Sequence, residues 1–241
     1  KGHISLIKQS KKSKFKTLVS IFVNPKQFNK KSDYRSYPRS TKKDLKKLKN
    51  LKVDYLYIPT FKDIYGFKPK EKIFLDKFSK KLCGRFRRGH FEGVLNVVNR
   101  FLEIIKPRYI YLGKKDYQQL YLIRKHIEKR KIKSKIIECK TIRENNGVAL
   151  STRNSNLNNN QMKIASKIYY YLYNLKKRIK KNYNLFNPNR IKKDLRDLGA
   201  RKIDYLENYN IKNFKKINRQ NKKFNIFIAY YIKNTRLIDN I

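Results

Sequence analysis

Two periods of apolar spacing run along this chain. Thr17 to Val23 (TLVSIFV) is a β-branched, apolar run flanked by lysines and ended by Asn24-Pro25, which predicts a buried strand closed by a turn. Leu45, Leu48 and Leu51 fall at helical spacing in Lys42 to Leu51, and Val53 to Ile58 (VDYLYI) predicts a second strand ended by Pro59. From Glu92 to Ile105, Val94, Leu95, Val97, Val98, Phe101, Leu102, Ile104 and Ile105 make a broad helical face that Pro107 terminates. Tyr109 to Leu112 predicts a strand, Gln119 to Lys129 a helix carrying Leu120, Leu122 and Ile123, and Lys135 to Cys139 another strand.

Strands alternating with helices in this order predict an α/β unit on a mainly parallel sheet with helices on both faces. Loops that follow the strands of such a sheet gather at one crevice. Asn24 to Phe28, Gly113 to Gln119 and Thr141 to Arg153 are therefore expected to meet in space. After Arg153 the pattern changes. Asn154 to Gln161 is a polar, asparagine-rich connector, and Ile164, Ile168, Tyr171 and Leu172 lie on one face of a following helix. Leu195 and Leu198 predict a short helix closed by Gly199, while Ile203 to Leu206, Phe224 to Tyr231 and Thr235 to Ile238 read as strands. A small α+β domain is expected there.

The 241 residues suit one large domain or a moderate one with a smaller appendix. The formal net charge of +46 would ordinarily point to a polyanionic partner. The lysines, however, recur throughout the chain beside abundant Asn, Ile and Tyr, all residues with AT-rich codons. The charge is read as genome composition acting on exposed positions. Cys83 and Cys139 are far apart and lack metal or redox spacing, so both are expected to be reduced and buried. No apolar run approaches the roughly 20 residues of a membrane span, and the first block has no signal-peptide core, which predicts a cytoplasmic protein.

Candidate chemistry lies in the three loops. Gly113-Lys114-Lys115-Asp116-Tyr117-Gln118-Gln119 sets a glycine, a phosphate-reaching lysine, an acid and two amides between a strand and a helix. Lys115 is the preferred cation over Lys114. Asp116 either caps the helix or holds a ribose hydroxyl, and only one of Gln118 and Gln119 is expected to face the crevice. Asn24 and Gln27 flank a proline-fixed turn, with amides that both donate and accept. Leu150-Ser151-Thr152-Arg153 offers two hydroxyls and a guanidinium for phosphate oxygens. His126 lies in a charged helix and reads as structural or solvated; His90, in the loop entering the long helix, either faces the crevice or caps.

In order and spacing, Ser20 to Phe28 (SIFVNPKQF), Tyr37-Pro38-Arg39, Leu82-Cys83-Gly84, Gly89 to Val94 (GHFEGV), Lys115 to Gln119 (KDYQQ), Ala149 to Asn154 (ALSTRN) and Thr235 to Ile241 (TRLIDNI) closely resemble the pantothenate synthetase family. These ligases join pantoate to β-alanine with ATP. The resemblance implies a Rossmann-like nucleotidyltransferase domain over residues 1–143, a carboxyl-terminal lid domain over residues 144–241, and a homodimer without nucleic-acid or membrane partners. It implies that Gln27 and Gln119, with Asn24, hold pantoate and β-alanine, and that Gly113, Lys114, Lys115, Asp116, Ile142, Leu150, Ser151, Thr152 and Arg153 contact ATP, with Lys115 also catalytic. Mg2+ would ride mainly on the phosphates, with help from Asp44.

Gly2-His3-Ile4 resembles the end of the family's His-x-Gly-His signature, which makes His3 the proton donor. The first histidine of that signature, and a strand with a Met-Gly turn, would precede Lys1. The expectation is an incomplete sequence or a decayed gene, weak or inactive as it stands. Lys114 takes a position usually held by Glu, Thr152 replaces a usual serine, and Lys30, Lys31 and Arg35 thin the acidic residues usual after Gln27. Two rival readings are another nucleotidyltransferase, such as a cytidylyltransferase or an aminoacyl-tRNA synthetase fragment, and a basic nucleic-acid-binding protein. The Gln27 and Gln119 pair argues against the first; the second has no RNA-binding motif to support it.

Overall fold

The structure is a computed structural model that describes residues 2–27, 34, 41–70, 72–217 and 223–241. Lys1, Phe28, Lys30, Lys31, Arg35 and the Tyr37-Pro38-Arg39 segment lie outside the described residues. The chain forms two compact units, Lys1–Lys140 and Thr141–Ile241. The whole loop from Thr141 to Arg153 thus belongs to the second unit.

In the first unit, α1 (Gly2–Lys11) is followed by β1 (Leu18–Ser20), α2 (Thr41–Asn50), β2 (Tyr55–Tyr57) and the one-turn α3 (Phe61–Tyr65). Then come α4 (Cys83–Phe86), α5 (His90–Ile105), β3 (Tyr109–Gly113), α6 (Tyr117–Lys129) and β4 (Lys135–Cys139). Both strand pairs are parallel, as the alternation of elements predicts: Leu18 faces Tyr55 in one, and Tyr109 faces Lys135 through to Gly113 and Cys139 in the other. They form two two-stranded sheets where one continuous sheet was expected, because no described strand bridges them. The first pair is also shorter than its apolar runs. After Ser20 one more bond forms, from Ile21 N to Tyr57 O at 3.0 Å, and Pro59 then has no N–H to continue the ladder.

Helices α5 and α6 cover β3 and β4. Val94, Leu95 and Leu102 meet Ile123 and Ile127, with Ile110, Leu112 and Ile136 of the strands packed against them. Leu95 and Ile123 are completely buried, and each such side chain contributes about 1.5–3 kcal/mol by leaving water. Helix α5 ends where Lys106 turns left-handed at φ 47° just before Pro107.

A polar pair, His126 and Asn99, is sealed in this layer. His126 has no exposed surface; its Nδ1 accepts from Phe74 N at 3.0 Å and its Nε2 lies 2.9 Å from Asn99 Oδ1. The amide donor fixes the tautomer, with the ring proton on Nε2. Burial, then the charge of Arg130, lower its pKa to about 4 against a smaller opposing effect of Glu103. The unfolded chain, with a pKa near 6.5, takes up that proton first. Stability contributed by neutral His126 is therefore complete above about pH 6.5 and is lost as pH falls through 4, by on the order of 3 kcal/mol. Urea unfolding between those pH values is expected to show this slope, and His126→Gln to flatten it; an unchanged slope would exclude His126 as its source.

In the second unit, α7 (Asn159–Lys181) opens with a reciprocal cap in which Asn158 and Gln161 each bond the other's backbone N–H. The asparagine-rich connector thus ends as a helix start. Helix α8 (Pro188–Asp197) has Asn187 as its cap and proline in its first turn. Strands β5 (Lys202–Asn210), β6 (Phe224–Ile232) and β7 (Thr235–Asn240) form an antiparallel sheet in that order. Ala165, Ile168, Leu172, Leu175 and Ile179 of α7, with Ile191 and Leu195 of α8, pack on Ile226, Ile228 and Ile232. The α/β unit followed by a small α+β unit agrees with the expected fold class.

Candidate functional site

At the carboxyl end of β3, Gly113 leads into a 3-10 turn, Lys114–Asp116, which runs directly into α6. Asp116 occupies the cap position of α6 without a side-chain cap bond, and it is exposed. Its carboxylate is therefore available to a ligand. Lys114 forms an ion pair with Glu138 at 3.1 Å, and Glu138 also bonds Arg124. The positive charge at position 114 is thus answered by the neighbouring strand. Lys115 is half-buried in the same turn.

The two glutamines of this segment differ sharply. Gln118 is buried, donates to Phe78 O at 3.0 Å and Lys81 O at 2.8 Å, and accepts from Cys83 N at 3.0 Å. All three bonds lock the turn that leads into α4, so its amide is spent on the fold. Gln119 is partly exposed, and no hydrogen bond of its side chain is found among the described residues.

The first loop follows β1 as a 3-10 turn, Pro25–Gln27. Asn24 is buried: its Nδ2 donates to Gly93 O at 3.0 Å, and its Oδ1 accepts from Lys26 N at 3.1 Å and Tyr65 Oη at 3.0 Å. Burial raises the Tyr65 phenol above its ordinary pKa, with the Asn24 bond opposing. Lys26 Nζ stands 4.0 Å from the Tyr65 ring centre. The Gln27 side-chain amide, like that of Gln119, has no hydrogen bond among the described residues. His3 lies exposed in the first turn of α1, and Asp44 is half-buried in the first turn of α2.

The third loop is built within the second unit. Leu150 N bonds Ile142 O at 3.0 Å, Glu144 N bonds Val148 O at 2.8 Å, and Gly147 takes φ 84°, a left-handed turn that suits glycine. Ile142 is exposed at the mouth of this turn. Ser151 Oγ then accepts from Arg153 N at 3.2 Å and starts a 3-10 turn, Thr152–Asn156. That bond uses an acceptor site of Ser151 and leaves its proton to donate. Thr152 and the Arg153 side chain are exposed.

Sequence reasoning missed the residues that stiffen this loop. Asn154 Nδ2 donates to Ala149 O at 3.1 Å, while its buried Oδ1 has no partner among the described residues. Arg143 grips Asp239 of β7 with bonds of 2.7 and 3.0 Å, donates to Gly147 O at 3.0 Å and lies 4.4 Å over the Tyr169 ring. The Arg143 and Asp239 spacing of nearly a hundred residues carries no local signal of this pairing. Among the described residues no group of three His, Cys, Asp or Glu side chains is placed to hold a metal ion, and no helix is long and apolar enough to cross a membrane.

A helix-entry turn with lysine and carboxylate after a parallel strand is the place where the α/β class of fold binds its ligands. The family comparison is more specific. The chain belongs to the pantoate-beta-alanine ligase family, which it matches over residues 1–241. It is 38% identical over 245 residues to a pantothenate synthetase of Flavobacterium psychrophilum, covering 100% of this chain and 86% of that one. It is similar to a crystal structure of the Francisella tularensis pantoate-beta-alanine ligase complexed with beta-gamma ATP and beta-alanine, at 39% identity and a TM-score of 0.79, covering 100% of this chain and 84% of that one. The Thermus thermophilus enzyme superposes with a TM-score of 0.87 at 27% identity, over 100% of this chain and 88% of that one.

Proposed function

We propose that this chain condenses (R)-pantoate with β-alanine to pantothenate, using ATP. A carboxylate is a poor acyl electrophile. Pantoate oxygen therefore attacks the α-phosphorus of ATP, pyrophosphate leaves, and the carboxylate becomes the acyl group of pantoyl adenylate. The β-alanine amine then attacks that acyl carbon, AMP leaves, and the amine gives up its proton. One observation carries the reading: the family match runs through residues 1–241 and so takes in all three loops.

In this reading Gln27 and Gln119 hold the pantoate hydroxyl and carboxylate in line with the phosphorus, which supplies most of the catalysis by positioning. Asn24 supports Gln27 from beneath, since its amide is engaged in the turn. Lys115, Ser151, Thr152 and Arg153 offset phosphate charge, Gly113 and Asp116 border the ribose, Ile142 and Leu150 lie near the adenine, and Lys114 tunes nucleotide affinity through its pair with Glu138. His3 donates a proton to the departing phosphate oxygen. Mg2+ enters as MgATP, held mainly by phosphate oxygens; Asp44 is the proposed further ligand. The same reading makes the enzyme a cytoplasmic homodimer.

The test is release of AMP and pantothenate from ATP, pantoate and β-alanine, run beside Gln119→Ala. The variant is expected to lose about a hundredfold in kcat/KM for pantoate while its ATP dissociation constant hardly moves. Equal loss of both affinities would remove Gln119 from the pantoate site. Absence of any product, with salt-sensitive RNA binding instead, would return the polyanion-binding reading.

A further inference from the structure

The GHFEGV segment at the start of α5 has no part in the chemistry above, yet its His90 and Gly93 meet Asn24, Lys26 and Gln27 of the first loop. Gly89, left-handed at φ 75°, delivers the chain into the helix so that His90 sits buried in its first turn. His90 Nδ1 lies 3.1 Å from Gln27 O, and Nε2 lies 2.9 Å from Arg87 Nη1. A guanidinium can only donate, so Nε2 accepts and the ring proton resides on Nδ1, pointing at the Gln27 carbonyl. Arg87 Nη2 donates to the same oxygen at 3.1 Å. Both lone pairs of that carbonyl are thereby occupied.

One turn later Gly93 O receives Asn24 Nδ2, and the missing side chain of Gly93 lets the helix close on the loop. A Cβ there would stand 2.7 Å from Lys26 O and 3.4 Å from Gln27 Cγ. A single helical turn therefore fixes Asn24, Lys26 and Gln27 together. With its carbonyl held twice, the Gln27 backbone cannot rock, and only side-chain torsions remain to aim its amide.

We infer that Arg87 and His90 are positioning residues for Gln27, setting pantoate affinity by clamping the Gln27 carbonyl. The inference rests on Gln27 as the pantoate-binding amide proposed above. Binding of (R)-pantoate and of ATP by calorimetry, with amide hydrogen exchange over residues 24–27, tests it without need of turnover. His90→Leu is expected to weaken pantoate binding about tenfold, the loss of one well-made hydrogen bond, to change ATP binding less than about twofold, and to speed exchange at 24–27. His90→Asn, which can present an N–H near the Nδ1 position, should restore most of both, and Arg87→Lys should weaken pantoate binding about threefold. A folded His90→Leu with unchanged exchange and pantoate affinity would overturn the clamp. If Gln27→Ala weakens pantoate binding in that same experiment, the reading of Gln27 stands and the clamp alone fails; if Gln27→Ala binds as the parent does, that reading falls and takes the clamp with it.

Discussion

Lys115→Ala is expected to slow pantoyl adenylate formation by about a hundredfold to a thousandfold, with a smaller effect on ATP binding. The magnitude follows from removing one preorganised charge aimed where negative charge grows as pyrophosphate departs. Lys115 is suited to that task because its turn ends β3 and opens α6, so a mobile ammonium and the positive helix end act in one place. Pantoate-dependent exchange of labelled pyrophosphate into ATP isolates this step from amide formation. Near-normal exchange in a folded Lys115→Ala protein would take the residue out of the site and leave Arg153 as the principal phosphate cation.

Asp239→Ala is expected to cost about 3 kcal/mol of folding stability, seen as a lower urea midpoint. Arg143 and Asp239 are bidentate, with side chains only 20% and 11% exposed, so truncating one leaves the other charge largely shielded from water and uncompensated. Arg143 also ties the Gly147 carbonyl and faces Tyr169, which links β7 to the turn from Ile142 to Arg153. Removing both partners together, in Arg143→Leu with Asp239→Ala, should cost clearly less than the sum of the single changes. Additive losses of under about 1 kcal/mol each would mean that the pair behaves as an ordinary surface bridge.

Local pattern revealed the elements whose periodicity is set by their own core face. The strands Tyr109–Gly113 and Lys135–Cys139 and the helices around Leu95, Ile123 and Ile168 were all legible, because each buries one continuous apolar stripe. What pattern could not reach was anything decided by a distant partner. His126 sits among Arg124, Lys125 and Glu128 and reads as either structural or solvated, and it is the chain at Phe74, far off in sequence, that makes it structural. Gln118 and Gln119 are adjacent and chemically identical, and only the fold separates the one that locks a turn from the one whose amide has no bond among the described residues. Asn24 was legible as important, but its three bonds go to Gly93, Lys26 and Tyr65. Lys114 stands where the family usually has Glu, and its partner Glu138, on the neighbouring strand, carries no local signal in the sequence. The parallel pairing was predictable from element order; its interruption between the two strand pairs was not.

Gly93 bears on how this chain can be improved. Exchanging glycine for alanine inside a helix is a standard route to a sturdier protein, gaining about 0.5–1 kcal/mol where the backbone allows it. Position 93 lies within α5, one turn from its start, and would rank high on any such survey. There the added methyl group would press on the Lys26 carbonyl and displace the neighbouring Gln27, so the same atom that steadies the helix would blunt the enzyme. Thermostabilised versions should draw their substitutions from elsewhere and keep this glycine.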